Sequence, residues 1–107
     1  MDKKELRKKF NEVVGQSEMK WKVFLLFKHH ASLNYKIVAM YLGIQKNFAS
    51  ACLADLEACG ILISEKYGKY ILNGKNLEDA LANALALKAS RLNMEVINLK
   101  IAAEGVS

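Results

Sequence analysis

The 107-residue sequence lacks the features that several classes of protein require. Its start, Asp2-Lys3-Lys4-Glu5, has none of the apolar character of a signal peptide. The apolar run from Val23 to Phe27 is far too short to cross a bilayer. From these absences we expect an intracellular, cytoplasmic protein of one domain with no membrane partner.

Cysteine is scarce as well. Cys52 and Cys59 lie seven residues apart in a segment with helical periodicity, which separates their Cα atoms by about 10.5 Å. A disulfide tolerates roughly 7 Å, so the two cannot pair within one chain. We expect both thiols to pack as small apolar groups on or near the core.

The sequence also lacks the motifs of metal sites and catalysis. His29 and His30 are adjacent, so on a helix they point about 100° apart and do not easily face one metal. There is no His-x3-His or Cys-x2-Cys spacing, no glycine-rich phosphate loop and no Gly-x-Ser-x-Gly motif. We therefore expect no enzyme, no metal and no cofactor, and we interpret the histidines as residues that end a helix.

Positive charge is abundant but unevenly placed. The net charge is +5, and residues 1–50 contain ten Lys and Arg against four Asp and Glu. Residues 51–76 contain three of each kind, and residues 77–107 contain three basic against four acidic residues. The skew indicates a polyanionic partner near the N-terminal half, although a lysine-rich surface that only aids solubility is the alternative.

Hydrophobic periodicity predicts a mainly α chain with one small β-hairpin. We expect four helices before the hairpin. The first is an amphipathic helix of about eleven residues that ends at Gly15, and the next two cover residues 19–30 and 35–42. The fourth ends at Cys59-Gly60. Ser17, Asn34 and Asn76 are candidate N-caps. Two strands, Ile61 to Lys66 and Lys69 to Leu72, flank the turn signal Tyr67-Gly68.

The centre of the chain is the segment Leu42-Gly43-Ile44-Gln45-Lys46-Asn47, a short turn between two helical patterns. Gly43 can end the first helix because glycine adopts positive φ at little cost. The helix after the turn has Ala49, Leu53 and Leu56 on its core face, and the core should also contain Trp21, Phe24 and Leu25.

Residues 37–62 resemble winged-helix transcription regulators of the MarR and ArsR kind. The matching pattern is Val38-Ala39, Leu42-Gly43-Ile44, then Leu53 and Leu56-Glu57-Ala58-Cys59-Gly60-Ile61-Leu62, with no gap. The resemblance implies a winged helix that binds double-stranded DNA through the second helix and the hairpin. Winged helices also serve as protein-binding modules, so an interaction adaptor that does not bind DNA stays open.

The side of the second helix that faces away from its core residues should contact DNA, together with the hairpin tip. Positions 51 and 52 hold Ala and Cys where related helices often place polar readers, so direct sequence readout should be thin. Exposed lysines of the first helix should add contacts that do not depend on sequence. The candidate DNA-binding residues are Lys46, Asn47, Ser50, Ala51, Ala54, Lys66, Tyr67, Lys69, Lys4, Lys8 and Lys9.

The last predicted helix runs from Leu77 to about residue 103, about 40 Å at 1.5 Å per residue. It has two apolar stripes, and we expect one to pack on its own domain. The other, close to a heptad seam, should form a homodimer, unless the helix folds into a groove of its own monomer. The leucine stripe comprises Leu81, Leu85, Leu92, Val96 and Leu99, and the seam stripe comprises Leu87, Met94, Ile97 and Ile101.

This layout divides the chain into a winged-helix DNA-binding domain, residues 1–76, and a dimerisation helix, residues 77–107. It is similar to that of small archaeal chromatin-associated winged-helix dimers joined by a coiled coil. The sequence therefore predicts a homodimeric, nucleoid-associated protein that binds double-stranded DNA as a small transcription regulator or a chromatin-type protein.

Overall fold

The computed structural model describes residues 2–104 as five helices and one hairpin. This confirms the predicted fold class of a mainly α chain with a small antiparallel hairpin and a long C-terminal helix. Residues 105–107, included in the predicted dimerisation segment, lie outside the described residues. The elements are α1 (Lys3–Val14), α2 (Glu18–Leu26), α3 (Tyr35–Leu42), α4 (Lys46–Ala58), β1 (Leu62–Ser64), β2 (Tyr70–Leu72) and α5 (Leu77–Glu104).

Short polar side chains begin most of the helices. Ser17 Oγ accepts a hydrogen bond from the backbone N–H of Lys20 at 3.3 Å, and Asn34 Oδ1 accepts one from Ile37 at 2.9 Å. Asn76 Oδ1 does the same for Asp79 at 2.8 Å. All three caps were predicted, because a cap satisfies backbone donors within three residues of itself.

The prediction that α2 reaches His30 is wrong, because α2 ends at Leu26. Beyond Leu26 the backbone hydrogen bonds join residues three apart instead of four. Phe27 N donates to Phe24 O at 3.1 Å, and Lys28 N donates to Leu25 O at 3.1 Å. The two histidines thus lie past the helix end, and the ring of His30 packs against Tyr41 at 5.2 Å between centroids.

The core is centred on three aromatic rings. Phe10 of α1 lies 5.2 Å from Trp21 and 5.2 Å from Phe24 of α2, between ring centroids. Leu53 and Leu56 of α4 are fully buried beside this group. The predicted core is confirmed except for Leu25, which is only half-buried.

Helices α3 and α4 meet at an angle of 115°. Gly43, at φ 64° and ψ 37°, ends α3 in the left-handed conformation, and its N–H donates to Ala39 O. A pair at about 90–120° joined by a three- or four-residue turn is the geometry of a helix-turn-helix. No single helix within residues 2–104 is long and apolar enough to cross a membrane, and α3 and α4 pass that test only as this bent pair.

The hairpin is shorter than predicted, with three residues in each strand. Its turn is the predicted one, and Tyr67 and Gly68 both have positive φ, 65° and 71°. Tyr70 also pairs with Leu33, through hydrogen bonds of 2.8 and 3.0 Å, so the segment before α3 extends the sheet. This isolated bridge was not predicted, because a single bridge leaves no pattern in the sequence.

Helix α5 makes the molecule elongated, at 57 × 31 × 23 Å. Its first turns are buried through Leu77, Ala80, Leu81 and Ala84, whereas residues 86–102 are all exposed. The prediction that one stripe packs on its own domain is therefore only half right. Leu81 and Leu85 of the leucine stripe do so, but its other three members do not.

Candidate nucleic-acid interface

Helix α4 divides into a buried face and an exposed face as the periodicity predicts. Ala49, Leu53 and Leu56 are fully buried, and Cys52 beside them is 3% exposed. The five residues predicted to point outward are all exposed: Lys46, Asn47, Ser50, Ala51 and Ala54.

The N-terminal end of α4 differs from that of its neighbours. Asp2, Ser17, Asn34 and Asn76 each accept a hydrogen bond from the first turn of a helix. Gln45, which begins α4, makes no such side-chain bond in the part of the chain that the structure describes. The first N–H groups of α4, next to the exposed Lys46 and Asn47, are therefore available to a phosphate or a base edge.

The C-terminal half of α4 has few exposed polar side chains that could contact DNA bases. Ala51, Ala54 and Ala58 lie on its exposed side, while its two acids are engaged at the edges. Asp55 forms an ion pair of 2.9 Å with Lys20, and this hydrogen bond raises the pKa of the Lys20 ammonium. Glu57 accepts a hydrogen bond from Ser64 Oγ at 3.0 Å, which joins α4 to the hairpin.

The hairpin tip presents two lysines and one aromatic ring. Lys66 and Lys69 are exposed, and Tyr67 is 93% exposed. Within residues 2–104 neither lysine has an ion-pair partner. A turn with two left-handed residues thus presents exposed cations that suit phosphates.

The basic residues of α1 differ in their surroundings. Lys4 and Lys8 are exposed, but Arg7 forms an ion pair of 3.2 Å with Glu18, donates to Asn11 Oδ1 at 3.1 Å and lies 5.0 Å from the Trp21 ring centroid. Arg7 is thus a structural residue that holds α1 against α2. This ion pair was not predicted from the sequence, because Glu18 comes near α1 only in the fold.

Lys9, though exposed, lies on a different side of α1 from Lys4 and Lys8. It lines a shallow groove with Lys75, Glu78 and Asp79 at the start of α5. The three lysines predicted as one auxiliary DNA contact are therefore split between two directions.

Lys88 and Arg91 were not predicted from the sequence as residues that position α5. Lys88 Nζ donates to Glu12 O in the last turn of α1 at 2.6 Å, and Arg91 Nη1 donates to Ala58 O at the end of α4 at 3.2 Å. Neither α1 nor α4 has a basic residue in its own last turn. Lys88 and Arg91, the exit clamp, thus place positive charge at two helix C-termini and fix where α5 leaves the domain.

A signal for the clamp was present in the sequence, because Lys88 interrupts the leucine stripe. Leu87, next to Lys88, also packs close to Gly60 of its own chain. A Cβ added to Gly60, which has φ +85°, would lie 2.8 Å from Leu87 Cδ2. Of the predicted dimerisation residues, Leu87 is 37% exposed, while Met94, Ile97 and Ile101 are at least half exposed.

The two cysteines are free thiols, as expected, with Cys52 buried and Cys59 half-buried. Burial raises the pKa of both thiols, so they stay protonated at neutral pH. Within residues 2–104 no three His, Cys, Asp or Glu side chains are grouped as metal ligands would be. The geometry thus offers binding surfaces made of helix faces, a hairpin tip and lysines.

Comparison with known proteins finds no family model that matches the chain, and no curated protein matches it significantly.

Proposed function

We propose that the protein is a double-stranded DNA-binding protein that acts as a homodimer, either as a small transcription regulator or as a nucleoid-associated chromatin-type protein. The observation that carries this proposal is the arrangement of α4. Its N-terminal end, which has no side-chain cap among the described residues, exposes Lys46 and Asn47 on a helix pair bent by 115°. The hairpin beside it carries two exposed lysines that form no ion pair within residues 2–104.

In this proposal α4 enters the major groove with its N-terminal end foremost. Lys46 contacts a phosphate or a guanine, Asn47 has the donor and acceptor pair that suits adenine, and Ser50 serves either. Ala51 and Ala54 allow close approach and contact thymine methyl groups. With only three polar readers, the discrimination between sequences is small.

Phosphate contacts then supply most of the affinity. Lys66 and Lys69 on the hairpin, and Lys4 and Lys8 on α1, are exposed cations of the kind that replace counterions on DNA. Tyr67 at the hairpin tip packs on the sugar-phosphate backbone or in a minor groove. The dimer, formed through the seam stripe of α5, presents two such surfaces to one duplex.

A binding titration with random-sequence duplex at several salt concentrations tests the proposal. The unmodified protein should bind with an affinity that falls steeply as salt rises. Replacing Lys66 and Lys69 together with Ala should lower the slope of log affinity against log salt by about 3.6 per dimer, since it removes two phosphate contacts from each copy and each contact contributes about 0.9. Lys100→Ala is the control. Lys100 is an exposed lysine on the projecting part of α5, residues 92–102, and its replacement should leave the slope unchanged.

Asn47→Ala separates base contacts from phosphate contacts. It should lower the preference for one base pair by about 1–3 kcal/mol and leave the salt slope nearly unchanged. An equal loss on every duplex would show that Asn47 only contacts the backbone. An unchanged slope in the hairpin double variant would place DNA on another surface.

The α1 lysines provide a further test of the surface. Replacing Lys4 and Lys8 with Ala should weaken specific and random duplexes by the same factor, while Lys9→Ala should have less effect because Lys9 lines the groove beside α5. The unfolding temperature should stay nearly constant, because exposed charges contribute little to stability. Unaltered affinity would leave these lysines as part of a solvated face.

The second candidate function is a protein-interaction adaptor. It is favoured by exposed apolar side chains on the helix pair, where Met40 is 71%, Tyr41 54% and Phe48 49% exposed. This candidate predicts no binding to duplex at moderate salt, so the same titration distinguishes the two.

A further inference from the structure

The projecting part of α5 has apolar residues on two nearly opposite faces. On the seam stripe, Met94, Ile97 and Ile101 are 56%, 50% and 62% exposed. On the leucine stripe, Leu92, Val96 and Leu99 are 53%, 54% and 70% exposed. Leu92 and Met94 are two residues apart, as are Leu99 and Ile101, so on a helix they point almost in opposite directions.

The exit clamp explains why this chain's own domain covers neither face. Lys88 and Arg91 bond to the ends of α1 and α4, and the domain stops there. The leucine stripe is buried at Leu81 and half-buried at Leu85, but its next apolar residue, Leu92, already lies beyond the clamp. A two-stranded contact through the seam stripe would leave this outer face in water.

We propose that Leu92, Val96 and Leu99, the outer patch, form a second self-association surface that joins dimers into tetramers or longer assemblies. This inference rests on the dimer of the proposed function. The occupant of the outer patch is the same segment of another copy of this chain, packed helix against helix.

Spacing identifies a second copy as the occupant. Leu85, Leu92 and Leu99 recur every seven residues, and so do Leu87, Met94 and Ile101 of the seam stripe. A seven-residue repeat is the pattern by which one α-helix packs its side chains between those of another. Because both faces have this repeat, both suit the same kind of partner, which this chain itself provides.

Charge supports the same occupant. The only charged residues among 92–104 are Glu95, Lys100 and Glu104. Several copies of this segment can therefore approach one another with little electrostatic repulsion. A helix that lies on an anionic membrane has a strongly basic polar face, and a DNA-binding helix needs cations as well. The projecting part of α5 has neither a strongly basic face nor a group of cations.

The area available to one face is small for a stable complex. The exposed parts of Met94, Ile97 and Ile101 amount to fewer than two whole aliphatic side chains, or on the order of a hundred to a few hundred Å² per copy. Stable interfaces bury about 1,200–2,000 Å² in total. Each interface therefore forms weakly and only as the protein concentration rises, and use of both faces roughly doubles the apolar area that each copy buries, through symmetric patches.

The test compares matched double variants by light scattering and sedimentation from micromolar to submillimolar concentration. Leu92→Gln with Leu99→Gln changes the outer patch, and Met94→Gln with Ile101→Gln changes the seam stripe. Glutamine keeps helix propensity, and all four positions are exposed, so the domain should keep its unfolding temperature. Helix content by circular dichroism checks that α5 still forms.

We expect the unmodified protein to reach the mass of four chains or more, and the outer-patch variant to stop at two. The seam variant should also stop at two, joined through the outer patch, and the variant with all four changes should be a monomer. The outer-patch variant should keep its affinity for short duplex, which separates this inference from the proposed DNA binding.

Three results would overturn the inference. An unmodified protein that stays a dimer at every concentration would leave the proposed dimer intact and the outer patch unused. An outer-patch variant that is a monomer would place the patch inside the dimer, against the partner's domain. An unmodified protein that is a monomer throughout would remove both the dimer and its further assembly.

Discussion

The two halves of α5, residues 77–88 and 91–102, belong to one continuous helix but have opposite surroundings. Leu81 in the first half is 1% exposed and Leu99 in the second is 70% exposed, although both belong to the same stripe. In the first half Ala80 and Ala84 are fully buried next to Leu81, and their small side chains allow the helix to lie close to the core. The second half spreads larger residues over two faces. Periodicity thus predicts that a helix face will be covered, but not which surface covers it.

The boundary between the halves is marked by charge. Lys88 and Arg91 reach back to carbonyl groups of α1 and α4, and every residue of α5 from Leu92 to Ala102 is exposed. A polar residue that interrupts an apolar stripe therefore indicates the place where a helix leaves its domain.

The largest expected effect comes from truncating the same residue type in each half. Leu81→Ala should destabilise the domain by about 2–5 kcal/mol, because it opens a cavity in a packed core. Leu99→Ala should change the unfolding free energy of the dissociated chain by less than about 0.5 kcal/mol. Urea unfolding at low protein concentration measures both. Similar losses for the two variants would show that the second half of α5 packs on its own domain.

Local features of the fold could be predicted from the sequence. Ser17, Asn34 and Asn76 satisfy backbone donors three residues away, and Gly43 adopts a conformation that few other residues tolerate. The exposed face of α4 followed from its buried face. These features depend on neighbours in the sequence, so the sequence alone contains their cause.

Features that depend on distant neighbours were not predictable. The pairing of Leu33 with Tyr70 and the ion pair of Arg7 with Glu18 require elements that meet only after folding. For the candidate DNA surface, the sequence located the exposed residues correctly, but not the groove that Lys9 lines with the start of α5. Whether these residues bind DNA stays a prediction.

Hydrogen exchange should distinguish the two halves by their dependence on concentration. An isolated helix of about a dozen residues is marginal in water, so amides of residues 92–102 depend on association for protection. Their exchange should slow by about threefold for each tenfold rise in protein concentration if a dimer protects them, by mass action. Amides of residues 80–86 should exchange at rates that do not depend on concentration. Protection of both segments to the same extent at high dilution would contradict the comparison.

The smallest expected effect concerns the exit clamp that separates the halves. Arg91→Met keeps the apolar stem but removes the hydrogen bond to Ala58 O and the positive charge at the end of α4. It should cost about 0.3–1 kcal/mol of unfolding free energy at low salt, because a cation at a helix C-terminus contributes about that much. The loss should shrink as salt rises, since exposed charges are screened, whereas the loss in Leu81→Ala should persist. Lys100→Met, a lysine of the projecting half with no ion pair or hydrogen bond among the described residues, is the control and should have no measurable effect. An Arg91 variant no less stable than this control would mean that the contact with α4 does not help to hold α5, and that the burial of Leu77 to Leu85 alone sets its direction.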